Sequence, residues 1–176
     1  MRWASCAAVV VLAATAGLAT SSQAASRAAT RRAFARKADA LCTRHNVWLR
    51  EKGSEVDSIK AEVEGKPSLG EALHALGRLT RLLRALAWSR VHFAGALLRI
   101  PHPESDRSWL SRWYWTQLEV VQAEKEGATA IEDLNTRGFD EAWNEALRHL
   151  SFAHRLARAH GLRVCGKHEA HRMLVS

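Results

Sequence analysis

The sequence predicts an all-α fold, an up-down-up-down four-helix bundle with one disulfide, preceded by a cleavable signal peptide. Three observations carry that prediction. Apolar residues recur at helical spacing in four stretches, and no stretch of any length alternates as a half-buried strand does. The breaks between the stretches are short and hold turn and capping residues. Two cysteines, Cys42 and Cys165, bracket the region so organised.

Residues 1–25 read as the signal peptide. Arg2 supplies a positive start, Ala7 to Leu18 form a short apolar run, and Ser22-Gln23-Ala24 is a small-x-small cleavage site. The run is only about half as long as a bilayer-spanning helix requires, so no transmembrane segment is expected after cleavage. Cys6 lies at the beginning of the run rather than at its end, where a lipoprotein cysteine would stand, and leaves with the signal. The bundle domain then covers 26–166 and a C-terminal tail 167–176.

The first helical stripe is Phe34, Ala38, Leu41, His45 and Trp48, resuming after Gly53 with Val56, Ile59 and Val63. Gly65-Lys66-Pro67-Ser68 ends it and offers Ser68 as an N-cap, with Glu71 three residues on completing a capping box. Leu69, Leu73, Leu76, Leu83, Val91, Ala94 and Leu98 form the second stripe, closed by Pro101-His102-Pro103. Leu110, Tyr114, Leu118, Val121, Ala128 and Ile131 form the third, and Asn135-Thr136-Arg137-Gly138 separates it from the fourth. That last stripe is Phe139, Trp143, Leu147, Leu150, Ala153 and Ala157, with Gly161 as a C′ residue. Connections this short make neighbouring helices antiparallel.

Export places Cys42 and Cys165 in an oxidising compartment, where a disulfide is the first expectation. The alternative is metal. Cys42-Thr-Arg-His45 and Cys165-Gly-Lys-His168 are both C-x-x-H, so Cys42, His45, Cys165 and His168 are four candidate ligands for tetrahedral zinc. Glu71-Ala-Leu-His74 matches one Glu-x-x-His element of a di-iron bundle, but such a site needs two of them plus two further glutamates. No phosphate loop, nucleophile elbow or marked Ser/His/Asp arrangement occurs. A non-enzymatic protein without a cofactor is therefore expected.

Ala38-Asp39-Ala40-Leu41-Cys42, the Pro101-His102-Pro103 break, and the run from Ala157 through Gly161-Leu162-Arg163-Val164-Cys165 carry a resemblance. They resemble a loose group of small exported helical proteins of high-GC Gram-positive bacteria, with the pattern A-D-x-L-C … A-x-x-x-G-L-x-x-C. The resemblance implies a helical bundle with paired cysteines and brings no activity or catalytic residue. This chain departs from that group in its basic charge and its tryptophan content.

The chain carries 26 Lys and Arg against 18 Asp and Glu, a net charge of +8. The charge is segregated. Residues 26–50, 78–115 and 148–176 are strongly basic, whereas 51–77 and 116–147 are acidic. In the expected bundle the basic blocks gather at the disulfide pole, giving a field that steers the molecule toward polyanions. Trp109-Leu110-Ser111-Arg112-Trp113-Tyr114-Trp115 opens the third helix at that pole. Not all three tryptophans can be fully buried in such a bundle. Tryptophan beside arginine suits an anionic lipid interface. Alternatively the rings cap the bundle end, with Arg107 and Arg112 over them.

The function these features predict is an exported binding or envelope-associated module. It is secreted or held at the cell envelope and docks anionic surfaces through Trp109, Arg112, Trp113, Arg84 and Arg90. Anionic lipid, a cell-envelope polymer or an acidic protein are the expected partners. Nucleic acid is disfavoured, because export separates the protein from it and no nucleic-acid-reading motif is present. A metal-handling protein built on the two C-x-x-H elements is the alternative.

Overall fold

The computed structural model describes residues 9–65 and 67–166, with side chains from Ala24 onward. Four α-helices and no strand are present among these residues: α1 (Val9–Glu64), α2 (Leu69–Leu98), α3 (Arg107–Glu132) and α4 (Thr136–Ala159). A short 3-10 turn, Glu104–Asp106, precedes α3. The expected tail, 167–176, and the first eight residues of the expected signal peptide lie outside the described residues.

Helix ends follow local chemistry. Ser68 caps α2, its hydroxyl accepting from the Glu71 N–H while the Glu71 carboxylate accepts from the Ser68 N–H at 2.7 Å. Asn135 caps α4 through its side chain, which accepts from the Gly138 N–H at 2.9 Å. Gly161 follows α4 at φ +85°, a conformation that costs glycine nothing. Leu134 occupies the corresponding left-handed position after α3, at φ 53°. Its N–H bonds to the Ile131 carbonyl and that of Asn135 to the Ala130 carbonyl, the pair of bonds of a Schellman ending. The arginine-rich stretch before Phe34 is helical and belongs to α1, as its alanines and arginines favour.

α3 is the central helix. It packs along α2 on one side and α4 on the other, whereas α1 packs along α2 and makes no extended contact with α4. Small residues let α3 and α4 approach closely: Ala123, Gly127, Ala128 and Ala130 on α3 and Ala142, Ala146, Ala153 and Ala157 on α4 are buried. A Cβ at Gly127 would already touch the Phe139 ring at 3.6 Å.

Being covered on two sides also widens the buried face of α3. Trp109, Leu110, Trp113, Val120 and Val121 are buried, while Tyr114 and Leu118 lie only partly covered at its edge. Leu110, Val121, Ala128 and Ile131 of the expected stripe are buried, and the stripe is widened to take in Trp109, Trp113 and Val120, with Tyr114 and Leu118 at its edge.

The largest core cluster surrounds the disulfide. Phe34, Ala38 and Cys42 of α1 meet Leu97, Trp109, Leu110 and Trp113, with Ala157, Leu162 and Cys165 closing over them. The Cys42–Cys165 bond joins positions 123 residues apart with a Cα–Cα distance of 5.2 Å. A loop of this length makes such a bond worth about 5 kcal/mol in the chain-entropy account.

Candidate functional site: the arginine-rich end

Three segments converge around the disulfide: the first turns of α1 beyond residue 30, the α2–α3 connection, and the end of α4. Arg31 reaches across to the connection, where its guanidinium donates to both carboxylate oxygens of Asp106, with Nε 3.2 Å from Oδ2. Burial works to raise the Asp106 carboxyl, but the hydrogen bonds and charge of Arg31 outweigh it and hold the group below its ordinary value. Phe34 packs edge-on against Trp109 at 6.1 Å and against His102 at 5.9 Å. The His160 ring stacks on Trp109 at 4.3 Å.

The return segment after α4 is pinned by one carboxylate. Asp39 accepts the backbone N–H groups of Arg163, Val164 and Cys165 at 3.1, 2.8 and 3.4 Å. The Ala38 carbonyl lies 3.6 Å from the Cys165 sulfur. The A-D-x-L-C and G-L-x-x-C elements are therefore two halves of one clasp, with a structural role for every residue type that defines them.

The expected docking residues part company here. Trp109 and Trp113 are 6% and 2% exposed, so neither ring presents a surface. Both lie on the α3 face turned into the core, Trp113 meeting the Phe93 ring edge-on at 5.8 Å.

Arg90 is 6% exposed and is likewise withdrawn from solvent. Its Nη2 donates to Glu124 at 2.7 Å, its Nε to the same carboxylate at 3.2 Å, and its Nη1 to the Gln117 amide oxygen at 3.3 Å. An arginine can sit inside because a fork of donors meets a carboxylate in matching geometry. Arg84 is exposed but belongs to the other end of the molecule, where it pairs with Glu132 at 2.7 Å, close to the pairing of Arg78 with Glu62. The basic block 78–115 is thus divided between the two ends.

Arg112 is exposed, as expected. Its guanidinium lies over the Phe152 ring at 4.9 Å, not over a tryptophan. Arg155 approaches the same ring at 5.9 Å. Trp115, one helical turn from Arg112, is 62% exposed. It is the member of the aromatic run left outside, and reading exposure rather than core from its position would have required knowing how α3 rotates. Arg36, Lys37, Arg99, Arg107, Arg158 and Arg163 are also exposed on the converging segments.

The metal alternative loses its thiolates, since the two sulfurs are bonded to each other. The His45 ring stacks on Phe93 at 4.2 Å, and His168 lies outside the described residues. Among the described residues no group of three or more His, Cys, Asp or Glu is placed to hold a metal ion.

The other histidines disperse. His149 bridges Glu119 and Glu145, the His92 ring packs at a tilt against exposed Trp88, and His154 lines an interior cavity. No described helix is long and apolar enough to cross a membrane. Compared with known proteins, the chain matches no family model, no curated protein and no solved structure.

Proposed function

We propose that this chain is an exported, non-enzymatic helical module that docks on anionic surfaces of the cell envelope through its arginine-rich end. In this reading residues 1–25 are removed and the helices alternate up-down-up-down, with the disulfide holding the binding end together. The observation that carries it is the surface group in which exposed Arg112, Trp115 and Arg155 stand around the half-buried Phe152 ring. Two guanidiniums from different helices share one aromatic ring, and an exposed indole stands one turn away. Guanidiniums pair with phosphate, and an exposed indole beside them suits a headgroup boundary.

The further arginines around this group supply long-range attraction, since each cationic side chain near an anionic membrane surface adds about 1 kcal/mol at moderate ionic strength. Co-sedimentation with anionic and zwitterionic vesicles tests the reading. Binding is expected to the anionic vesicles only, and to weaken when Trp115 is replaced by alanine. Equal binding to both vesicle types, or none to either, would overturn it.

A further inference from the structure

The end of the molecule opposite the arginine-rich one bears a group of exposed leucines. Leu69 and Leu73 lie one turn apart at the start of α2, and Leu134 follows α3; they are 77%, 51% and 65% exposed. Leu73 and Leu134 both line an open groove of about 340 Å³. Leu76 and Ile131 line it with them and belong to a core cluster with Leu83 and Ala128, so the groove is built on packed residues.

Leu134 is unusual twice over. Its backbone sits at φ 53°, where a residue other than glycine is strained, yet its side chain stands in solvent. Strain kept at an exposed apolar residue points to a contact that this chain does not make with itself.

The polar groups of the groove are matched within the chain. The Thr80 hydroxyl donates to the Leu76 carbonyl at 3.1 Å, and Arg84 is paired with Glu132 at 2.7 Å. Arg81 is the remaining charge in the lining, its guanidinium close enough to Gly77 that a Cβ there would lie 3.7 Å from Nη1. What stays open is therefore apolar area rather than a set of donors or acceptors awaiting a polar ligand.

Size, shape and charge decide the occupant. The three leucines expose on the order of 300 Å², the size at which an apolar patch on a monomer is commonly functional. Two copies pairing through them would cover about 600 Å², the apolar half of a specific interface of about 1,200 Å². Leu69 is the most exposed large apolar residue among the described ones and projects one turn from the groove. A knob beside a hole on one patch is self-complementary, because a two-fold axis between them brings each Leu69 to the groove of its mate. The chain has a net charge of +8, so its copies repel, and least where charges are paired. Beside the groove Arg84–Glu132 and Arg78–Glu62 are such pairs.

We propose that a second copy of this chain docks there, forming a two-fold dimer through Leu69, Leu73 and Leu134. Arg112 stands near the start of α3 and Leu134 beyond its end, so the arginine-rich end stays uncovered. Pairing neither needs docking on anionic surfaces nor blocks it.

Sedimentation velocity of the mature protein between about 1 and about 200 μM tests the proposal. A monomer–dimer equilibrium is expected within that range. Leu73→Glu should weaken it by about tenfold or more, whereas Trp88→Ser, at an exposed ring elsewhere on α2, leaves it unchanged. Leu134→Gly separates pairing from folding: it relieves the strain and keeps the monomer folded, and should still weaken the dimer by about tenfold. Because apolar area holds the copies together, the dimer should be no weaker at about 300 mM salt than at about 50 mM.

A monomer at every concentration would overturn the proposal. So would a dimer that dissociates at the higher salt, since charge would then hold it. A dimer that Trp88→Ser disrupts and Leu73→Glu leaves intact would place the second copy on another face. Should Leu73→Glu not fold, Leu69→Glu, at the most exposed of the three positions, takes its place. A dimer that survives both Leu69→Glu and Leu134→Gly would contradict the site.

Discussion

Asp39 holds Cys165 in place: its carboxylate takes the Cys165 backbone N–H at 3.4 Å and those of the two preceding residues at 2.8 and 3.1 Å. The contact spans more than a hundred residues and presents Cys165 to Cys42 three positions further along α1. Replacing Asp39 by alanine leaves those N–H groups without their acceptor and should cost about 2–3 kcal/mol. It should also slow re-formation of the disulfide during oxidative refolding, measured by thiol trapping. Wild-type oxidation kinetics in Asp39→Ala would show that the clasp plays no part in pairing the cysteines.

The Arg90–Glu124 pair predicts a non-additive result. Arg90→Met or Glu124→Leu alone strands a buried charge and should destabilise by about 3–5 kcal/mol. The double variant removes both charges together and should recover most of that loss, read from urea midpoints. Additive losses in the double variant would mean that the two residues act independently.

His45 makes stability depend on pH. Burial, reinforced by the charge of Arg90, lowers its pKa to about 4, against 6.5 for an ordinary histidine. The unfolded chain therefore binds a proton below pH 6.5 that the folded protein refuses until about pH 4. Stability should fall as pH drops through that window, by about 2 kcal/mol between pH 7 and 5. In His45→Leu this component should vanish, leaving a flatter profile in denaturant titrations at the two pH values. An unchanged slope would place the ring in water.

Leu134 sits at φ 53° and is 65% exposed, so it bears backbone strain without burying its side chain. Glycine adopts this conformation freely. Leu134→Gly should raise stability by about 0.5–1 kcal/mol, seen as a higher melting temperature. A lower melting temperature would show that the leucine contributes contacts outweighing the strain.

The breaks between helices were legible because short-range chemistry writes them: the Ser68–Glu71 box, the prolines at 101 and 103, and Asn135. The pairing of Cys42 with Cys165 was the first expectation from the sequence, and the two sulfurs are bonded. Three of the expected docking residues, Trp109, Trp113 and Arg90, are buried, and the reason is physical. The number of neighbours around α3 sets how wide its buried face is, and sequence spacing alone does not give it. That face takes in Trp109 and Trp113 and leaves Trp115 outside.

Arg90 looked like surface charge because its partners, Gln117 and Glu124, lie 27 and 34 residues away on another helix. The role of Asp39 was equally hidden, since three backbone N–H groups leave no mark in residue identity.

The central claim is that the arginine-rich end, rather than net charge in general, binds anionic surfaces. The most direct measurement compares two charge reversals of equal size for binding to anionic vesicles at about 50 and about 300 mM salt. One is Arg112→Glu with Arg155→Glu, and the other is Arg84→Glu with Arg137→Glu at the opposite end. The account predicts that the first pair abolishes binding and its salt dependence, while the second leaves both nearly intact. Equal losses from the two pairs would contradict it and reduce the attraction to overall charge.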